Sequence, residues 1–296
     1  MVPAGTTAYS RGVGTDEVQQ GWRQGGQSWV ANERVFDASF APVTRELMSR
    51  AAWARGDRVL DVGCGSGTLL ALGVGAGAQM VGVDVSTAMV TAARARVPAA
   101  TVVEADAATV DLLQAAPGAP FDKVVSRFGV MFFRDPVAAF GSIRRATRPG
   151  ATMTFACWRS RDENPVFTQG TDILLAALDE PPPTPEPGSP GPTAFADADR
   201  LLEILAGGGW GEVAIEPFDY VGRYGLDGSD GVEERLAVIL GAGGGATWAR
   251  VQEALGTDRQ AEVLDAIRLA LQDWKVDGVV TMPGAVWMVT ARNLGS

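Results

Sequence analysis

The sequence predicts an α/β fold built on a mostly parallel sheet, and three observations carry that prediction. Short apolar runs alternate with helical patterns from Arg58 to Trp158, the rhythm of a sheet wound by crossover helices. The first run, Arg58-Val59-Leu60-Asp61-Val62, breaks into Gly63-Cys64-Gly65-Ser66-Gly67, after which Thr68-Leu69-Leu70 opens a helix. An acidic residue, Asp84, ends the next apolar run roughly twenty residues past the glycine turn.

Glycines at alternate positions let the backbone turn tightly and bring the amides of the new helix close to a ligand. Such a turn serves a dinucleotide or a nucleoside. A dinucleotide turn asks for a small residue at its third fixed place, and counting from Gly63 that place is Thr68. A pyrophosphate over the turn would also lie near Asp61, and like charges repel in a partly dry site. A ligand carrying an ammonium and a sulfonium reverses that sign. Asp84 is placed to accept hydrogen bonds from both hydroxyls of a ribose.

Taken in order, the residues before Ala54 form an arm. Ser28 to Trp53 carries Val30, Val35, Phe36, Phe40, Val43, Leu47 and Met48 at amphipathic helical spacing, with a break near Pro42. Trp22 and Trp29, seven residues apart, share a helical face and either pin the arm to the core or line a lid. Strand one is Arg58 to Val62, followed by a helix through Leu72; strand two is Gln79 to Asp84. Ser86 caps a helix from Thr87 to Arg96, stopped by Pro98. Ala100 to Glu104 is strand three and Phe121 to Ser126 strand four, with Arg127-Phe128-Gly129-Val130-Met131-Phe132-Phe133 after it. Asp135-Pro136 opens a helix to Thr147, Pro149-Gly150 ends it, and Ala151 to Trp158 is strand five.

Beyond strand five the pattern loosens. Thr168 to Leu178 is helical, Glu180 to Pro192 is a proline-rich loop, and Asp197 caps a helix from Ala198 to Ala206 that three glycines end. Glu212 to Tyr220 and Val279 to Ala291 alternate as strands. Helical stretches near Val232–Leu240, Thr247–Leu255 and Arg259–Trp274 lie between them and suit a cap over the sheet's carboxyl edge. The expected units are an arm over 1–54, a ligand-binding core over 55–220 with a proline-rich insertion at 159–196, a helical cap over 221–277, and a closing core strand in 278–296.

Composition narrows the chemistry. With 25 Lys and Arg against 35 Asp and Glu, the net charge of -10 opposes a nucleic-acid partner. No apolar run reaches transmembrane length and Met1 to Ser10 shows no signal-peptide pattern, so no membrane insertion and a cytoplasmic location are expected. Two cysteines, Cys64 and Cys157, make no disulfide framework, and the absence of histidine removes imidazole bases and the usual zinc ligands. No metal is expected.

Val59 to Gly67, with Asp84, Asp106 and the Ser126-Arg127-Phe128 segment, resembles the class I S-adenosylmethionine-dependent methyltransferases, most of all their ubiquinone/menaquinone-biosynthesis-like (methyltransferase type 11) branch. The resemblance extends to a group of bacterial small-molecule methyltransferases through Gly26-Gln27-Ser28-Trp29-Val30, Trp158-Arg159, Glu163-Asn164-Pro165, Gly191-Pro192 and Phe195-Ala196-Asp197. It implies a Rossmann-like seven-stranded, mostly parallel sheet whose last strand is antiparallel. It implies S-adenosyl-L-methionine as cofactor, S-adenosyl-L-homocysteine as product, and in-line transfer of the methyl to an O, N, C or S atom of a small, partly apolar acceptor.

By position, Asp61, Gly63 and Gly65, with Cys64 and Gly67 in the same turn, would hold the cofactor's amino-acid end. Asp84 would hold the ribose, Val85 and Met89 the adenine face, and Asp106 and Ala107 its edge. Ser126 and Arg127 would lie near the methionine portion. Phe128, Met131 and Phe132, with Trp22 and Trp29 from the arm, would line the acceptor space. If a base is needed, Asp162, Glu163 and Tyr9 are the candidates. A module that binds the cofactor without methyl transfer has the same cofactor half, and a nicotinamide oxidoreductase is disfavoured by Thr68 and Asp61. The sequence leaves the oligomeric state open, a homodimer being one option.

Overall fold

A computed structural model describes residues 26–180 and 186–295, the side chains of residues 242 and 243 excepted. Strands β1 (Arg58–Val62), β2 (Gln79–Asp84), β3 (Thr101–Glu104), β4 (Phe121–Arg127) and β5 (Thr147–Trp158) pair in parallel. Strands β6 (Gly211–Arg223) and β8 (Val279–Arg292) complete the sheet in the order β3-β2-β1-β4-β5-β8-β6, with β8 antiparallel to both neighbours. An eighth strand, the two-residue β7 (Lys275–Val276), folds back on the start of β8 and was not expected from the sequence.

Central strands bury both faces and so read as continuous apolar runs: Val59, Leu60 and Val62 of β1 and Val124 and Val125 of β4 are buried. Strand order reverses between β1 and β4. In open sheets of this kind, ligands settle in the crevice outside the carboxyl ends at that reversal. The glycine turn leaves β1 there, and Phe128 and Gly129 leave β4 beside it.

Helix Thr87–Arg96 starts where Ser86 accepts a hydrogen bond from the Met89 amide, and Asp197 caps helix Ala198–Gly207 through the amides of Asp199 and Arg200. Two expected boundaries move. Helix Pro136–Arg145 ends four residues before Pro149-Gly150, because Thr147 already pairs with Phe121. The next pair is Lys123 with Thr152, so Arg148-Pro149-Gly150-Ala151 bulges opposite Asp122 inside the strand. In the arm, the break falls at Phe40 between helices Glu33–Ser39 and Ala41–Ala51. Pro42 sits in the first turn of the second helix, where a missing amide hydrogen costs nothing.

Prolines in the antiparallel half avoid the ladder. The amide of Tyr224 donates to Val280, so alternation along β6 points the Pro217 nitrogen away from β8, toward the open edge. Between β6 and β8, helices Val232–Val238, Gly245–Ala254 and Thr257–Gln272 pack on one another and on helix Thr171–Ala176. Among the described residues no helix is long and apolar enough to cross a membrane.

The crevice depends on two facing glycines. A Cβ on Gly129 would stand 2.4 Å from the Val62 carbonyl oxygen and 2.8 Å from the Gly63 Cα, both backbone atoms that cannot swing aside. Gly129→Ala should therefore lower stability by about 1–3 kcal/mol, the cost of overpacking. Chemical denaturation of the purified variant checks this, and wild-type stability would show that the two turns can part.

Candidate active site

The glycines of the turn divide the work. Gly63, with φ +69°, meets Gly129, and Gly67, with φ +90°, meets Ala93 of helix Thr87–Arg96 and Val97 just past its end. Gly65, with φ +54°, would carry a Cβ into open space, so its bareness serves nothing within the protein's own packing. Cys64 turns inward against Gly82 of β2, and burial pushes its thiol well up, which removes it from nucleophilic chemistry.

Two acids flank this opening. Asp84 accepts from the Gly65 amide at 2.9 Å through one oxygen and from the Ser86 amide at 2.9 Å through the other. Burial raises its pKa, and the amides of Ser86, Gly65 and Val85 pull it back. Asp61 is different. It is 1% exposed, and neither carboxylate oxygen has a hydrogen-bond partner. Burial lifts its pKa from 3.8 to about 7, against the attraction of Arg127 and with the repulsion of Asp84.

From β4, the buried Ser126 hydroxyl donates to the Val62 carbonyl at 2.7 Å and accepts from the Gly129 amide at 3.1 Å, clamping the ends of β1 and β4 together. Arg127 donates to Thr44 at 2.7 Å and to Thr68 at 3.3 Å, and its guanidinium lies 5.7 Å from the centre of the Phe40 ring. Phe128 holds φ +67°, a left-handed conformation that costs a bulky residue of order 1–3 kcal/mol. Its ring stacks on Trp158, 4.6 Å between centres and 6° from parallel.

That stack belongs to a longer aromatic wall. Trp29 stacks on Phe36 at 3.9 Å, Phe36 on Phe40 at 5.8 Å, and Phe40 meets Phe128 edge-on at 5.0 Å. Trp158 continues it to Phe167 at 5.1 Å and to Tyr220 at 6.3 Å. The arm therefore crosses the crevice. Gly26 closes on Ser86 at the end of β2, and Ser28 fits against Gly241 beyond helix Val232–Val238.

Of the remaining sequence candidates, Val85 and Met89 lie at the end of β2 and in the helix that follows it, Met89 buried. Asp106 accepts from the Ala108 amide and the Thr109 hydroxyl within its own turn, beside the buried Ala107. Met131 is fully buried and takes a hydrogen bond from the Trp158 amide on its sulfur, supporting the wall from within. Phe132 is partly buried, and Phe133 packs edge-on against Phe140 in the core. Glu163 sits in an exposed cluster with Ser160 and Arg159, whose hydrogen bonds and charge hold its pKa down; Asp162 beside it is exposed. Tyr9 and Trp22 lie outside the described residues.

The sequence reading missed Asp37. One oxygen takes a hydrogen bond from Thr68 at 2.6 Å and meets Arg127 at 3.5 Å, and the other is paired with Arg96 at 2.7 Å. These partners stand 31, 90 and 59 positions away, so no local spacing signals them.

A parallel sheet continued by an antiparallel strand, with a glycine turn and an unsatisfied acid at its reversal point, is a Rossmann-like architecture with a ligand crevice at that point. The comparisons agree. A family model described as a methyltransferase domain matches residues 59–150. The demethylmenaquinone methyltransferase of Renibacterium salmoninarum is 28% identical over 169 residues, covering 54% of this chain and 68% of that protein. The ubiquinone biosynthesis O-methyltransferase of Hahella chejuensis is 30% identical over 139 residues, covering 46% and 58%. The matched stretch thus spans roughly two thirds of the first relative and little more than half of the second. In fold, the chain is similar to Haemonchus contortus phosphoethanolamine N-methyltransferase 2 in complex with S-adenosyl-L-methionine, with a TM-score of 0.55, 16% identity and coverage of 95% of this chain and 60% of that one. Residues 59–150 thus match a methyltransferase domain, and the chain is similar to methyltransferases in sequence over about half its length and in fold over most of it.

Asp37 joins the arm to both walls of the crevice. Asp37→Ala should cost about 1.5–3 kcal/mol, the range for hydrogen bonds to charged groups, with the lower end favoured because the network is partly solvated. Limited proteolysis should then cut faster within residues 26–40. An unchanged cleavage rate would mean that the aromatic wall alone seats the arm.

Proposed function

We propose that this chain binds S-adenosylmethionine at the β1/β4 crevice and moves its methyl group, by in-line displacement, to a small and partly apolar acceptor. The observation that carries this reading is Asp61, a buried carboxylate with no partner for either oxygen. An orphaned buried acid is costly, and a cationic donor removes that cost. The α-ammonium of an amino acid is such a donor, whereas a dinucleotide's pyrophosphate would add repulsion.

The neighbouring residues fit the rest of the group. The bare face of Gly65 leaves room beside Asp61. Asp84 keeps acceptor capacity on both oxygens after its two amide bonds, enough for a ribose diol. Val85 and Met89 would meet the adenine face, Asp106 and Ala107 its edge, and Ser126 and Arg127 the methionine portion. When bound, S-adenosylmethionine supplies a methyl already activated on a sulfonium.

The protein's own contribution is alignment, which supplies roughly 7–11 kcal/mol in well-oriented reactions. Phe128 and Trp158 offer the acceptor a flat apolar wall, and the arm from Trp29 to Phe40 keeps water out. The two relatives named for demethylmenaquinone and ubiquinone biosynthesis support an apolar acceptor. Among the described residues, the candidate Glu163 is held ionised by Ser160 and Arg159 and is a weak base, and the chain has no histidine. Such a site suits a nucleophile that is electron-rich or ionised in its own right.

The test follows from the Asp61 proton. With a folded pKa of about 7 against 3.8, free protein at pH 6 holds Asp61 mostly protonated. The free fold therefore loses stability as pH rises from about 4 to 7, where native Asp61 retains the proton that the unfolded chain has released. A bound ammonium favours the carboxylate and expels that proton. Calorimetry of S-adenosylhomocysteine binding, in buffers of different ionisation enthalpy, should show release of close to one proton at pH 6 and little at pH 8. Asp61→Asn should abolish the release and weaken binding by about 1.5–3 kcal/mol. Binding of NAD in place of S-adenosylhomocysteine would overturn the cofactor, and binding without turnover of any acceptor would make the chain a non-methylating module.

A further inference from the structure

The far end of the aromatic wall holds a second unsatisfied charge, of opposite sign. Arg235, on helix Val232–Val238, is 1% exposed. One terminal nitrogen donates to the carbonyl of Val166 at 2.7 Å and that of Gln169 at 3.4 Å, while its Nε has no acceptor. Its guanidinium lies 5.3 Å from the centre of the Tyr224 ring. No carboxylate among the described residues forms an ion pair with it. A buried guanidinium with a missing acceptor and no counter-charge is expensive, and natural cores keep such groups paired.

Two routes connect Arg235 to the proposed transfer site. Val166, whose carbonyl it holds, precedes Phe167, and Phe167 packs on Trp158 at 5.1 Å. Tyr224 directly follows the end of β6, four residues past Tyr220, which meets Trp158 at 6.3 Å. Trp158 in turn stacks on Phe128 at the carboxyl end of β4. Sheet order thus sets Asp61 and Asp84 on one side of the aromatic wall and Arg235, with the Tyr224 ring at its guanidinium, on the other.

We propose that Arg235 is the recognition point for a carboxylate on the methyl acceptor, so that the acceptor is an aromatic carboxylic acid. This rests on the methyltransferase reading for the identity of the site, and it deepens that reading by naming the acceptor's class. The parts match that chemistry. A single planar guanidinium suits the fork of one carboxylate. An aromatic wall built around Phe128 and Trp158 is chemically matched to an aromatic ring. The division of charge also sorts the two ligands: a cationic cofactor goes to Asp61 and an anionic acceptor to Arg235, and each end repels the wrong one.

The experiment uses the full chain with benzoate and 2-naphthoate as probes, each against its uncharged amide. Binding is read by quenching of tryptophan fluorescence, with and without S-adenosylhomocysteine. At least one acid should bind wild type roughly tenfold to a hundredfold more tightly than its amide, the size of a charge-assisted hydrogen bond. Arg235→Met should erase that preference while S-adenosylhomocysteine affinity stays within about twofold, and Arg235→Lys should restore part of it. The Arg235→Met protein should also melt no lower than wild type, since an apolar side chain relieves an unpaired buried charge. If Arg235→Met fails to fold, Arg235→Gln gives the same reading.

Equal binding of acid and amide by wild type would overturn the proposal. So would a preference that survives Arg235→Met, or failure of both acids to bind. A lowered melting point with the acid preference intact would mark Arg235 as a structural strut for Val166 and Gln169. Absence of S-adenosylhomocysteine binding would instead sink the methyltransferase reading, and the acid preference is measured independently of it.

Discussion

The site depends on one steric constraint, the approach of two backbones at the ends of β1 and β4. Gly63 and Gly129 face each other so closely that neither has room for a side chain. Ser126 clamps the approach from below by bonding both Val62 and Gly129. Two consequences follow locally. Asp61 is sealed beneath the turn with no internal donor, and Phe128 is forced into a left-handed conformation beside Trp158. An unpartnered buried acid and a strained aromatic ring thus come from the same close contact.

The arm turns this crevice into an enclosure. Helix Glu33–Ser39 contributes Asp37 to the guanidiniums on one side and Phe36 to the aromatic wall on the other, where Phe40 at the break between the arm helices joins it. Aromatic stacking is tolerant of small displacements, whereas the Asp37 ion pairs are directional. The pairing therefore sets the register of the arm, and the rings supply contact area.

The parallel half of the fold was legible because its signals are local. Strand two came out at Gln79 to Asp84, and the helix capped by Ser86 ran from Thr87 to Arg96, as alternation and capping chemistry require. The glycine turn and the class of protein were readable for the same reason, since Gly63, Gly65 and Gly67 lie within five residues. Boundaries set by pairing were not. Pro149-Gly150 reads as a helix stop, yet it lies in a bulge because Thr147 finds Phe121 in space. Asp37 and Arg235 were invisible for a related reason. The first acts through Arg96 and Arg127, and the second matters because no acid among the described residues forms an ion pair with it while its Nε lacks an acceptor. A missing counter-charge is a property of three-dimensional neighbours, and no spacing encodes it.

The two borders of the sheet differ in a way that bears on how copies of the chain meet. On one border, β3 is only four residues long, too short to template another strand strongly. The other border, β6, runs thirteen residues and would be an inviting template. It is blunted at its middle: Pro217 removes an outward donor, and Glu212, Glu216 and Asp219 line the exposed rim, held by Arg292, Arg50 and Arg159. Strand addition from a second molecule would have to strip those ion pairs and skip a hydrogen bond. Edge-to-edge growth into a continuous sheet is thus discouraged by sequence at both borders of the described sheet.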